Sequence, residues 1–249
     1  MVSVCMAVYN GEKYIKAQLD SILSQIDKND ECIISDDGSN DNTISIISNI
    51  NDPRIKLIRN NGKHGARSNT INALKHSKGD IIFLSDQDDV WLPGKYHIML
   101  KALRKFDLVH CDSVVTDDRL SILHSSFFLY YNNGPGIVKN MIKSTYFGSH
   151  MAFKRKVLLR ALPFPDTVEI GHDLWLGLVA ELANMKVKFI NQKLMLYRRH
   201  SDAFCGQLSG SSRSLLKKVN GRIIMLKYIL LWEIKRLRNG RTNNKKTVC

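Results

Sequence analysis

Four apolar residues, Ile81-Ile82-Phe83-Leu84, run directly into Ser85-Asp86-Gln87-Asp88-Asp89, which sets three carboxylates within four positions. Such a run fits a strand buried on both faces, with the acids at its carboxyl end, where open α/β sheets bind ligands. Carboxylates this crowded repel one another unless a cation or hydrogen-bond donors intervene, and hard oxygen donors suit Mg²⁺ or Mn²⁺. The chemistry this predicts is a divalent ion holding a diphosphate. The alternative is a polar turn leading into a helix capped before Pro93, with Asp89 helping to start it.

Other residues could serve the same chemistry. In the Asp36-Asp37-Gly38-Ser39 turn a carboxylate can accept from a pyrimidine imide N–H, and Tyr9 can stack on the base; the same turn can simply cap the next helix. Arg67 and Asn69 stand at a helix start, where N-termini attract phosphate, or on a solvated helix face. Asp173 opens a helix marked by Leu174, Leu178 and Leu182, and serves there as a base or as a cap. In Tyr197-Arg198-Arg199-His200, Arg198 and His200 are candidate phosphate or metal contacts, against the alternative of surface residues.

The elements that must position these residues alternate along the chain. Strand-like runs at Val2 to Val8, Glu31 to Ser35, Ile55 to Ile58 and Asp80 to Leu84 are separated by helical spacings at Gly11 to Ile26, Thr43 to Ile50 and Ala66 to His76. This order predicts a mostly parallel α/β sheet with helices on both faces and right-handed crossovers. Tyr9, Asp37 and the acidic cluster then share one sheet edge. Further on, Asp107 to Asp112 reads as a strand and Ser113 to His124 as an extended or hairpin segment turning at Asp117-Asp118. The aromatics Phe127, Phe128, Tyr130 and Tyr131 line an acceptor or pack the core. Phe147 to Phe153 and Val187 to Ile190 read as strands, the latter ending in a turn at Asn191. There is no Gly-x-Gly-x-x-Gly or Walker loop.

With 44% apolar and 24% charged residues, the 249-residue chain can bury a core without staples. Its five cysteines read as buried reduced thiols. No leader-like segment precedes Val2 to Val8 and no apolar stretch reaches the roughly 18 residues of a membrane span, so a cytoplasmic location is expected. The net charge of +14 is concentrated at the end: residues 213–249 hold eleven Lys and Arg against Glu233, a net of +10.

The ordered set Val4 to Gly11, Asp36-Asp37-Gly38-Ser39-x-Asp41 and Gly79 to Trp91 resembles the inverting family 2 glycosyltransferases of GT-A fold. The resemblance is close over about the first 110 residues and looser to about Gly206. It implies that Asp37 pairs with the base, Tyr9 packs on it, Asp88 ligates the cation, Asp86 sits near ribose and metal, and Asp173 is the catalytic base. Gln87 departs from the family's smaller middle residue. Tyr197 to His200 resembles a segment of bacterial rhamnosyltransferases that closes over the nucleotide. The implied reaction moves a sugar, with dTDP-rhamnose the favoured donor and UDP-sugars the other, to a glycan or lipid-linked acceptor in bacterial surface-polysaccharide assembly. The alternatives are a sugar-phosphate nucleotidyltransferase, which lacks here its Gly-rich loop, and a basic membrane or nucleic-acid adaptor.

The expected organisation is a catalytic domain over 1–206, with a nucleotide-sugar half at 1–110 and an acceptor half at 111–206. A basic amphipathic helix and disordered tail would follow over 207–249. From Ser214 to Leu237, apolar residues three and four apart are interleaved with Lys and Arg. That suits either an anionic membrane surface, with the protein peripheral on its inner face, or packing against the catalytic domain. Nucleic acid is not expected as a partner.

Overall fold

In the computed structural model, which describes residues 1–200 and 214–246, the first half follows the alternation seen in the sequence. Strands β1 (Val2–Val8), β2 (Glu31–Asp36), β3 (Ile55–Arg59) and β4 (Ile81–Asp86) alternate with α1 (Ile15–Leu23), α2 (Thr43–Asn49) and α3 (Ala66–His76). These four strands are all parallel, in the spatial order β3-β2-β1-β4. The chain winds outward from β1 to β3 and returns to the other side of β1, so the strand order reverses between β1 and β4, where α/β sheets open a ligand crevice. Register keeps the strand ends level: Ala7 lies opposite Asp86, and Val8 opposite Asp36.

Alternation of side chains along these strands builds two cores. Val4, Met6, Val8 and Phe83 pack with Ile15, Leu19 and Ile22 of α1, while Cys5, Ile82 and Leu84 pack on the opposite face with Ala73 and Leu74 of α3. Cys5, Cys32 and Cys111 are buried and free; burial raises the Cys5 thiol far above its ordinary value and the Cys32 thiol to about 12. Cys205 and Cys249 lie outside the described residues.

Beyond Asp86 the sheet becomes mixed. The added elements are β5 (Val90–Trp91), α4 (Lys95–Leu103), β6 (Leu108–Thr116), β7 (Ile122–His124), α5 (Phe127–Tyr131), α6 (Ile137–Ile142), β8 (Met151–Lys154), α7 (Arg155–Ala161), α8 (His172–Leu182) and β9 (Val187–Arg198). Strand β8 runs antiparallel between β4 and β6, β6 is parallel to β9, and β9 pairs antiparallel with β5. The hairpin expected around Asp117 is β6–β7. Two expectations need correction. Asn191 is no turn, because β9 runs through it and the irregularity is absorbed as register shifts against β6. The Phe147 to Phe153 stretch is broken by a 3-10 turn, Gly148–His150, before β8. Of the aromatic group, Phe127 and Phe128 are buried.

The last helix, α9 (Leu215–Lys246), runs past Leu237, where the apolar spacing ends, to Lys246.

Candidate active site

The acidic cluster sits at the crevice between β1 and β4. Asp86, Asp88 and Asp89 each offer a carboxylate oxygen, and these atoms lie within 4.8 Å of one another. All the donors are hard oxygens, and Asp89 Oδ2 is buried with no partner among the described residues, so the cluster fits a hard divalent cation. Asp86 faces the cleft although protein packs closely around its carboxyl. Desolvation first, then the charges of Asp88 and Asp173, push that carboxyl up to about 7.

Each member of the cluster is held by a group remote in sequence. Gln18, fully buried on α1, donates through Nε2 to Ser85 Oγ at 2.7 Å and to the Asp86 carbonyl at 2.9 Å. Asp89, far from capping a helix near Pro93, is fully buried and accepts the Arg198 N–H at 3.0 Å. Arg198 donates Nε–H to the Asp88 carbonyl at 2.7 Å and Nη1–H to the Asp118 carbonyl at 2.5 Å, with its guanidinium 4.8 Å from the Tyr14 ring centroid. It braces the acidic loop from behind. His200 Nε2 lies 2.9 Å from Asp88 Oδ2, so the expected metal or phosphate contact meets the cluster through that carboxylate.

Gln87, whose size departs from the family pattern, has a definite place. Its Oε1 accepts the Tyr9 N–H at 2.9 Å, and its Nε2 donates to the Tyr9 carbonyl at 3.0 Å. The amide thus replaces a strand partner for the loop after β1, and a side chain at Gly11 would collide with it. Tyr9 itself is 52% exposed at the cleft rim.

The two acids after β2 divide their work. Asp36 accepts from the Gly38 and Ser39 N–H groups and from the Ser39 hydroxyl, shaping the turn. Asp37, buried, accepts Asn60 Nδ2–H at 2.6 Å and the Gly65 N–H at 2.7 Å. Gly65 reaches it at φ 122°, a backbone state that favours glycine. His64 Nδ1 stands 3.5 Å from Asp37 Oδ1, and Oδ2 keeps a second lone pair for an incoming donor.

Arg67 and Asn69 turn inward. Asn69 donates Nδ2–H to the Val8 carbonyl at 3.0 Å. Arg67 donates Nε–H to the Ile170 carbonyl at 3.1 Å and Nη2–H to the Pro165 carbonyl, gripping the loop that leads into α8. Burial lowers the pKa of its guanidinium.

Asp173 stands in the first turn of α8, across the cleft from the cluster and near enough for its charge to act on Asp86. Among the described residues no side chain caps this helix, and Asp173 Oδ1 accepts the adjacent Leu174 N–H at 2.7 Å. Gly148 lies on the Asp173 side, beside His172. A Cβ there would stand 3.1 Å from His172 Nε2, 3.7 Å from Leu84 Cδ1 and 4.0 Å from Asp173 Cβ, so a side chain at this position would press on His172. Tyr9, Asp37, Asp86, Asp88 and His200 therefore line one side of the cleft and Asp173 the other, while Arg67, Asn69 and Arg198 support it from within the fold. Gln18 and Gln87 were missed as site residues because a glutamine after a helix start or between acids carries no spacing signal.

The family model for glycosyl transferase family 2 matches residues 3–161. This chain belongs to that family. Two Escherichia coli relatives are the UDP-Glc:alpha-D-GlcNAc-diphosphoundecaprenol beta-1,3-glucosyltransferases WfgD and WfaP. WfgD is 27% identical over 190 residues, 73% of this chain and 70% of its own. WfaP is 28% identical over 238 residues, 92% of each chain. Among solved structures, S. aureus TarS 1–349 in complex with UDP-GlcNAc superposes with a TM-score of 0.65 at 18% identity, covering 82% of this chain and 61% of that one. The mannosyltransferase PcManGT from Pyrobaculum calidifontis, in complex with GDP-Man and Mn2+, gives 0.61 at 18% identity, covering 82% and 58%. At such identity these likenesses speak for the fold, which is GT-A. Family 2 membership sets aside the nucleotidyltransferase and adaptor readings, and the cluster Asp86, Asp88 and Asp89 could hold a metal.

Proposed function

We propose that the chain transfers a sugar from a nucleoside-diphosphate sugar to a hydroxyl of a lipid-linked glycan, with inversion at the anomeric carbon. The observation that carries this is the pairing of a carboxylate cluster at the end of β4 with Asp173 at the head of α8, close enough for the Asp173 charge to act on Asp86. Asp88, with Asp86 beside it, would hold Mg²⁺ or Mn²⁺, which when bound neutralises the diphosphate of the leaving nucleotide. Asp173 would take the proton of the acceptor hydroxyl as its oxygen bonds to the anomeric carbon. Asp37 would accept the base imide N–H and Tyr9 would pack on the base. Arg67, Asn69 and Arg198 would act one step back, by holding the loops that present these groups, and His200 by orienting Asp88.

For the donor, the WfgD and WfaP names specify UDP-Glc, and this makes UDP-glucose the first candidate beside dTDP-rhamnose. The same names supply the acceptor class, a sugar on diphosphoundecaprenol. Work on such an acceptor would be done by a protein peripheral to the inner face of the cell membrane. Transfer from UDP-glucose or dTDP-rhamnose to diphosphoundecaprenol-linked GlcNAc, measured for Asp173→Asn and Asp88→Asn, tests the reading. Asp173→Asn should lower kcat by about 10²- to 10⁴-fold. Asp88→Asn should abolish stimulation by Mg²⁺ or Mn²⁺. Full activity in either variant overturns the mechanism.

A further inference from the structure

Helix α9 has two apolar faces, and the catalytic body covers one. Gly221, Met225 and Trp232 are buried, with Tyr228 and Ile229 packed beside them. Trp232 Nε1–H donates to the Arg160 carbonyl at 2.9 Å, and the Tyr228 hydroxyl to the Asp166 carbonyl at 3.2 Å. Arg222 reaches the Ile142 carbonyl. On the opposite side, three and four residues apart, Leu216, Val219, Ile223, Leu226, Leu230 and Ile234 are each between 46% and 83% exposed. A continuous apolar stripe of this length marks a binding face. Lys227 and Arg238 border it by helical position, and from Leu215 to Arg238 the helix carries seven basic residues against Glu233 alone.

We infer that α9 lies in the plane of an anionic lipid bilayer surface, with its outer apolar stripe sunk at the acyl boundary and its Lys and Arg against the headgroups. The charge selects this partner. No described helix is long and apolar enough to cross a membrane. Against a second copy of α9, the flanking Lys and Arg would meet like charges, which opposes pairing. Nucleic acid would satisfy the charges but leave the stripe in water. An anionic bilayer satisfies both. The same helix grips Asp166, within the loop that Arg67 holds at Pro165 and Ile170 and that leads to Asp173. Membrane contact through α9 thus holds the Asp173 side of the cleft near the bilayer; only this last consequence rests on the proposed lipid-linked acceptor.

Sedimentation of the full chain with vesicles tests the surface. Vesicles of equal parts phosphatidylcholine and phosphatidylglycerol should carry it down, and phosphatidylcholine alone should do so at least about tenfold less. Leu226→Glu with Leu230→Glu should lower partition to the mixed vesicles at least about tenfold. Lys217→Glu with Lys227→Glu should lower it and weaken its salt dependence. All four positions are exposed, so thermal unfolding of the variants should match the parent. Absence of parent binding, undiminished binding in both double variants, or a dimer in sedimentation velocity that the leucine variant splits into monomers would overturn the inference. Vesicle binding is read without substrate, so failed sugar transfer would count against the proposed function alone, and failed sedimentation against this surface alone.

Discussion

Gln87 ties two loops that must stay in register if nucleotide and metal are to be held at once. Its amide supplies both a donor and an acceptor to the Tyr9 backbone, so Gln87→Ala leaves an N–H and a carbonyl unpaired at the cleft rim. We expect a stability loss of about 1 kcal/mol and, more tellingly, a several-fold higher donor KM with kcat little changed, as steady-state kinetics would show. An unchanged KM would refute the clamp. Asp86 offers a test by pH. Its carboxyl is raised to about 7 in the absence of a cation, so between the ordinary carboxylate range and pH 7 this carboxyl binds more protons in the folded protein than in the unfolded chain. The contribution of Asp86 to the stability of the metal-free protein therefore falls as pH rises through that window, opposite in sign to the contribution of the buried His110, His150 and His172, whose pKa values burial lowers. Cation binding needs the ionised form, so Mn²⁺ affinity should rise over the same range and binding should release protons. Calorimetry in buffers of different ionisation enthalpy would reveal that release, and its absence near pH 6 would contradict the assignment.

At the level of elements, the loop between α7 and α8 is what sets Asp173 in place. It is held from α3 by Arg67, 103 positions from Ile170 in sequence, and from α9 by the Tyr228 hydroxyl. Arg67→Ala removes its two bonds to that loop while leaving the acidic cluster untouched. Its expected signature is a fall in kcat of roughly tenfold or more with donor affinity retained, since a small misplacement of a base is costly to turnover. Donor binding by calorimetry beside turnover would separate this from a phosphate contact, whose loss would weaken donor binding instead. The parallel half of the sheet was legible because each of its strands is a short apolar run bounded by turn residues. The half from β6 to β9 was less so. A 3-10 turn and register shifts leave no periodic trace, and whether β8 enters between β4 and β6 is settled by packing rather than by local pattern.

At the scale of the molecule, α9 is part of the fold and not an appendage. Trp232 is buried against α7, so Trp232→Ala should destabilise the protein by about 3 kcal/mol, read from its chemical denaturation midpoint. A near-zero change would mean that α9 does not dock in solution. Removing residues 213–249 would strip this face as well, which is why point changes on the outer stripe are the sharper probe of membrane contact. By itself the sequence determined the alternation of strands and helices, the parallel order of the first half, the edge on which Tyr9, Asp37 and Asp86 to Asp89 gather, and the amphipathic character of the last helix. These are properties of local periodicity and of residue type at strand ends. Tertiary structure alone decided that Arg67 and Arg198 brace loops from behind, that Gln87 pairs with Tyr9, that His200 meets Asp88 from 112 positions away, and which of α9's apolar faces is already covered. A side chain's partner is fixed by which backbone groups the folded chain brings within about 3 Å, and no spacing along the sequence records that.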